Sequence, residues 1–262
     1  MLRFACLFMV LAVCESSWAA DVSGTSFSGR VVRVLDGDTL ILEGDRRVRL
    51  LDINTPELSH DGEPAEAGAA AAADALRRLT FGQDVRVVQG PQAKDRFDRL
   101  LGQVYLSSGG WVNGTLVRDG YAHVYTFADN ALHPQELLAY EAQARAAKKG
   151  IWAQPRWAVR DATKCCAKSD IGTFQLVQGK VLSAMFVKKS KGGRTYLNFG
   201  EDWRTDFSVF VDSKDAKWFK KAGIANIADH YRGKTVRVRG HLQPVNGVLV
   251  RVTHPAQVEI LD

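Results

Sequence analysis

Residues 29–57 read GRVVRVLDGDTLILEGDRRVRLLDINTPE, and the fold turns on this stretch. Residues 29–34 alternate as a half-buried strand does, residues 39–42 are β-branched and apolar, and residues 47–51 resume after a turn at Gly44-Asp45. The spacing predicts a three-stranded meander.

Working outward, residues 64–79 are alanine-rich, with Pro64 suited to a first helical turn and Gly82 just past the end, so they are expected to be helical. Residues 85–89 and 101–106 read as a strand pair, and residues 112–118 as a short helix ended by Gly120. Residues 134–149 read as a third helix with Leu137, Leu138, Tyr140, Ala144 and Ala147 on its apolar face. Lys148 and Lys149 complement its dipole, and Gly150 closes it. The pattern dissolves across residues 154–173, taken as a linker, and a second strand-rich unit follows over residues 174–262. There Gly179-Lys180-Val181-Leu182 echoes Gly29-Arg30-Val31-Val32, and Thr235-Val236-Arg237-Val238 echoes Asp84-Val85-Arg86-Val87. The expectation is a mainly β chain with α (α+β): an OB-fold five-stranded barrel with three helices over residues 20–153, then a smaller OB-like β-barrel.

Of the 262 residues, 46% are apolar and 24% charged, which excludes disordered and fibrous classes. Arg3, an apolar run ending at Cys14, and the small residues Ala19 and Ala20 have the layout of a secretory signal over residues 1–19. That predicts a secreted or periplasmic protein, with no lasting transmembrane segment because the run is about half the ~20 residues a spanning helix needs. Val13 is bulky for the position before a lipid-modified cysteine, which argues against anchoring at Cys14. The mature chain then keeps only Cys165 and Cys166, adjacent residues that cannot build a disulfide framework and are taken as incidental to the linker.

Three motifs carry the chemistry: Asp36-Gly37-Asp38-Thr39, the run from Arg49 through Asn54-Thr55-Pro56-Glu57, and Asp95-Arg96-Phe97-Asp98-Arg99. Alone, each has a plainer explanation as a hairpin turn, a solvated strand face or surface charge. Together and in this order, with LVRDGYAHV at residues 116–124 and GIW at 150–152, they resemble the staphylococcal nuclease (thermonuclease) family over residues 27–153.

The resemblance implies a calcium-dependent endonuclease acting on DNA and RNA and leaving 3′-phosphate ends. By the same resemblance, Asp38 and Asn54 hold the metal, Thr55 lends its backbone carbonyl, Glu57 is the general base, and Arg49 and Arg99 grip the scissile phosphate. The chemistry is consistent with those residue types. Phosphodiester hydrolysis drives negative charge onto the phosphoryl oxygens, and arginine forks with a hard dication supply charge that matters most in the transition state. Asn54 stands where the family often has aspartate, so weaker calcium binding is expected. Asp52, two residues earlier, shares Asn54's face if the strand continues and would then compensate; otherwise it ends the strand at solvent. Arg96, Phe97 and Tyr125 are candidate substrate contacts, the aromatics by base stacking, while Phe127 is assigned to packing. His123 and His133 lack metal-ligand spacing and are taken as bystanders.

In the second unit, Tyr196, Trp203, Phe207 and Phe210 interleave with Lys188, Lys189, Lys191 and Arg194. This reads as a nucleic-acid platform, against the plainer alternative of core aromatics and a solvated hairpin. The rival for the whole chain is a secreted nucleic-acid-binding protein whose nuclease site has decayed. No obligate protein partner is implied, and the chain is read as a monomer. The net charge of +6 does not sit on the nuclease half: residues 20–157 carry 16 basic and 18 acidic side chains, residues 170–262 carry 15 and 9.

Overall fold

A computed structural model describes residues 25–59, 62, 64–190 and 192–262. The stretch read above as a signal sequence, with Cys14, and Lys191 lie outside the described residues.

The predicted meander is β1 (Ser26–Val34), β2 (Thr39–Leu42) and β3 (Arg46–Leu50), joined to a two-residue strand β4 (Ile53–Asn54). Helix α1 (Ala69–Thr80), β5 (Asp84–Lys94), β6 (Leu100–Leu106), α2 (Val112–Arg118), β7 (His123–Val124) and α3 (Pro134–Ala146) follow. The ring β1-β2-β3-β6-β5 closes, with β3 and β6 parallel, and β4 pairs with β7 beside it. Inward residues of every barrel strand, among them Leu40, Leu42, Val48, Leu50, Val87 and Val104, meet Leu76, Leu116 and Leu137 from the three helices in one core. Pro64 does not begin α1 as expected, because Gly68, with φ +100°, breaks helical continuity just before Ala69.

The stretch expected to be a linker is folded. It contains short 3-10 turns and β8 (Arg160–Asp161), which runs parallel to β9 (Phe174–Lys180). Trp157 packs with Ala144, Ile151, Trp152, Phe174 and Leu176 in a small core between the two units. The second unit continues with β10 (Ser183–Lys189), β11 (Gly192–Asn198), β12 (Phe207–Asp212), α4 (Ala216–Lys221), α5 (Ile227–Tyr231), β13 (Thr235–Gln243), β14 (Val248–Val252) and β15 (Val258–Ile260). Its pairing order is β10-β11-β12-β14-β13-β9-β8, with β15 on β13.

The two echoes are now explained. Only Val181 and Leu182 separate β9 from β10, so both ends of the path β10-β11-β12-β14-β13-β9 lie on one bent stretch of chain. That reproduces the first ring, down to the parallel pair β12 with β14. In the first unit β1 changes partner at Val31, pairing with β5 up to Arg30 and with β2 from Val31. Val31 donates its N–H to the Gln83 carbonyl and accepts from Gly82, while Val181 donates to Lys234 and accepts from Gly233. Gly82 and Gly233 share a left-handed φ, +72° and +78°. The echoing tetrapeptides therefore mark the same corner of the same barrel. Of the expected platform aromatics, Phe207 and Phe210 are buried, Tyr196 is half-buried and Trp203 is exposed.

Candidate active site

Between β1 and β2 the chain reverses over Asp36 and Gly37, with the Leu35 N–H donating to the Thr39 carbonyl and the Asp38 N–H to Asp36 Oδ1 (3.0 Å). Gly37 is required by crowding: a Cβ there would lie 2.6 Å from Thr55 Oγ1 and 2.7 Å from the Ala72 Cβ. This turn buries Asp38 against the exit of β3. Asp38 Oδ2 accepts the Thr55 N–H (3.1 Å) and faces Arg49 Nη2 at 3.0 Å. Arg49 also donates to the carbonyls of Leu50 and Ile53 and, through Nη2, to Asn54 Oδ1 at 2.7 Å. One guanidinium thus ties the end of β3 to β4 and to the buried carboxylate.

On the opposite side the β5–β6 connection is built on Asp95. Its carboxylate accepts the N–H groups of Phe97 (2.9 Å) and Arg99 (3.0 Å) and the Arg99 Nε (2.7 Å). Burial works to raise the Asp95 pKa, but the Arg99 and Phe97 hydrogen bonds outweigh it and hold it below the usual range. Phe97 is left 63% exposed, with the Arg96 and Arg99 guanidiniums 4.7 and 5.5 Å from its ring centre.

These two sides face one cavity of about 610 Å³ lined by Asp38, Arg49, Asn54, Glu57, Arg96, Phe97, Arg99 and Tyr125. Every residue assigned a catalytic, metal-binding or substrate-contact role from the sequence lies on it except Thr55, which is buried beneath and accepts from Asn54 Nδ2 through its carbonyl (3.1 Å). Glu57 follows buried Pro56 and is held by the backbone, its N–H donating to Glu66 Oε2 (3.0 Å) and its carbonyl accepting from the Glu66 N–H (2.8 Å). Phe127, assigned above to packing, is 47% exposed and lines the cavity edge-on to Tyr125 at 5.2 Å. Asp36, Gln92, Asp129 and Asn130 complete the wall, and His241 enters from β13 of the second unit, 5.9 Å from the Tyr125 ring.

The surroundings of Asp38 fit a hard cation. Burial raises its pKa to about 6, only partly offset by Arg49, and the charges of Asp36 and Glu57 add to the rise. A desolvated carboxylate beside two more on an open cavity, with amide and carbonyl oxygens adjacent, is an all-oxygen donor set. Among the described residues no His, Cys, Asp or Glu cluster of three is drawn together at ligating distance.

A family model described as "Staphylococcal nuclease homologue" matches residues 47–154. A micrococcal nuclease of Shigella flexneri is 34% identical over 178 residues, 62% of this chain and 94% of the relative. The chain belongs to the staphylococcal nuclease family. A thermonuclease of Staphylococcus hyicus is 31% identical over 126 residues, 47% of this chain and 74% of the relative. An uncharacterized endonuclease of Escherichia coli O157:H7 is 36% identical over 136 residues, 49% and 82% of the respective chains. These likenesses support a phosphodiester-cleaving hydrolase, and a nuclease family implies a nucleic-acid substrate. No helix among the described residues is long and apolar enough to cross a membrane.

Within this nuclease, Asp52 neither compensates for Asn54 nor ends the strand at solvent. Its φ of +65° interrupts the extended backbone, so the two-residue alternation fails and its side chain turns inward. Oδ2 accepts from Gln103 Nε2 (2.9 Å) and the Leu132 (2.8 Å) and His133 (3.3 Å) N–H groups, while Oδ1 is buried without a hydrogen bond. Burial raises its pKa to about 6 despite those bonds. Because the folded-state pKa lies above the unfolded value, ionised Asp52 opposes folding above pH 6, and stability should rise as the pH falls from about 6 to about 4. Asp52→Asn is expected to raise stability at pH 8 and to flatten that segment of a stability–pH profile measured by urea unfolding. His123 is a packing residue, stacked 4.1 Å from Phe174, and burial drives its pKa down to about 3.

Proposed function

We propose that this nuclease is a calcium-dependent endonuclease that cleaves DNA and RNA with low sequence specificity, leaves 3′-phosphate ends and works outside the cytoplasm after loss of its signal sequence. The observation carrying this reading is the convergence of Asp38, Arg49, Glu57 and Arg99 on one cavity. A binding protein with a decayed site would have no need of that set.

Asp38, with Asp36, Asn54 and the Thr55 carbonyl, would hold calcium, which supplies positive charge to the phosphate when bound. The two arginines differ in readiness. Arg99 spends Nε and its own N–H on Asp95, so its terminal nitrogens remain to grip two phosphoryl oxygens. Arg49 uses both terminal nitrogens on Leu50, Ile53, Asn54 and Asp38, so it both fixes the cation-binding loop and adds charge at the cavity floor. Glu57, carried on a short loop pinned to Glu66, takes the proton from the attacking water. Phe97, Tyr125 and Phe127 offer stacking faces that do not discriminate between bases.

The full mature chain should degrade single-stranded DNA when calcium is present and stop when a chelator is added; a strand that is bound but never cut would establish the decayed-site rival instead. Asn54→Asp restores a charged oxygen and should lower the calcium concentration for half-maximal cleavage by about tenfold. An unchanged calcium requirement would remove Asn54 from the ligand set.

A further inference from the structure

The second barrel has a cavity of its own, of about 430 Å³, lined by Met185, Val187 and Lys189 of β10, Tyr196 and Asn198 of β11, Trp203, Ser208 of β12, Asn246 and Leu249 of β14. Its position overlaps the equivalent of the nuclease cavity. The latter opens between the first strand connection (Asp36, Asp38), β3 (Arg49), the β5–β6 connection (Asp95, Arg99) and β6 (Leu101). The second shares the counterparts β12 (Ser208), the β13–β14 connection (Asn246) and β14 (Leu249), and extends further across β10, β11 and Trp203 of the β11–β12 connection. In a five-stranded barrel of this order, that face and those loops are where strands of nucleic acid bind.

Its chemistry fits such a strand without the means to cut it. Among the described residues no carboxylate lines the cavity, unlike the Asp36, Asp38 and Glu57 set of the first barrel. Trp203 is 47% exposed and stands on a loop closed by the Asp202 N–H donating to Asp206 Oδ2 (2.9 Å), with the Arg204 guanidinium 4.7 Å from its ring. The polar floor is satisfied internally: Ser208 donates to Asn198 Oδ1 and Asn198 Nδ2 donates to Ser183 Oγ, both at 3.1 Å. What remains open is an apolar slot with aromatic faces, a size suited to one or two bases. Lys189 ends β10 on the cavity wall with no ion-pair partner among the described residues. Residues 170–262 carry 15 basic against 9 acidic side chains.

We propose that this cavity is a second, non-catalytic subsite for single-stranded nucleic acid, with bases stacking on Trp203 and Tyr196 and a phosphate meeting Lys189. It would hold a long strand while the first barrel cuts it. The proposal rests on the nuclease reading above, but its test separates the two.

Binding of a fluorescein-labelled phosphorothioate oligothymidylate of about 20 nucleotides, long enough for two such barrels, is followed by anisotropy for the full chain. Trp203→Ala should weaken binding about fivefold or more, and Trp203→Phe should restore most of it. Lys189→Glu should weaken binding and flatten its salt dependence, which covers the case of a Trp203→Ala chain that does not fold. KM for long single strands should rise in step, while cleavage of a tetranucleotide, confined to the first cavity, stays unchanged. Oligothymidylate affinities within about twofold of the parent for the folded variants would overturn the proposal. So would capture of phosphatidylglycerol vesicles that is lost in Trp203→Ala while oligothymidylate binding is kept. Failure to cleave even the tetranucleotide, with strand binding intact, would sink the nuclease reading and leave the subsite standing.

Discussion

Glu57→Gln should lower kcat by about 10²–10⁴-fold, the usual contribution of a positioned proton acceptor, while leaving the fold intact. The substitution keeps size and shape, the side chain is exposed, and the Glu57 backbone holds the loop through its two hydrogen bonds to Glu66. Removing one negative charge from a cavity that must accept a phosphate should also leave KM unchanged or lower it. Asp38 should ionise more readily as well, since the Glu57 charge contributes to its raised pKa. Single-turnover cleavage of a short oligonucleotide, with binding measured separately, reads both parts of the expectation. A kcat within about threefold of the parent would take the proton-acceptor role away from Glu57.

Arg239→Ala is expected to cost about 3 kcal/mol of stability, because it leaves a buried carboxylate between the two units with Arg145, 3.5 Å away, as its remaining cation. Arg239, only 1% exposed on β13, donates to both oxygens of Glu141 on α3 (2.8 and 3.0 Å) and to Glu259 on β15. Glu141 is fully buried and also accepts the Val124 N–H at 2.7 Å. Burial by itself would raise the Glu141 pKa, but the Arg239 charge and hydrogen bonds outweigh it and hold the pKa below the ordinary carboxylate range. A depressed folded-state value means that the stabilisation is present above the unfolded pKa and is lost as the pH falls through the folded one. Arg239→Ala should therefore flatten the acid limb of the stability profile as well as lower the urea midpoint at pH 7. Pairing Arg239→Met with Glu141→Gln, which keeps an acceptor for Val124, should recover much of the loss. If the single and double variants unfold at the same midpoint, the charge pair is not what joins the units. Since Val124 on β7 pairs with Ile53 on β4, next to Asn54, the single variant should also raise the calcium requirement.

The site residues were legible in sequence because the family's motifs are local: a two-residue reversal buries Asp38, and Asp95 organises the next four residues by itself. What was misread depended on backbone geometry or distant chain. Asp52 followed the strand alternation on paper, but a left-handed φ turned it into the core. Phe127 and His241 carry no motif; one is presented by the turn after β7, the other by a strand more than a hundred residues further on. Asp95 does carry a local signal, since an aspartate whose carboxylate accepts the N–H two residues on, here that of Phe97, is a recurring turn device.

The charge excess and the paired tetrapeptides show the same division. The sequence by itself determined the family, because its local motifs stand in the family's order, and through that resemblance the barrel order of the first unit and the cluster from Asp38 to Arg99; composition alone set the basic character of residues 170–262. Tertiary structure alone decided that the supposed linker packs as core, that Arg239 fastens the second barrel to the first, and that His241 reaches the nuclease cavity. Those outcomes depend on which buried surfaces and charges meet across a long chain, and residue spacing along the chain does not encode them.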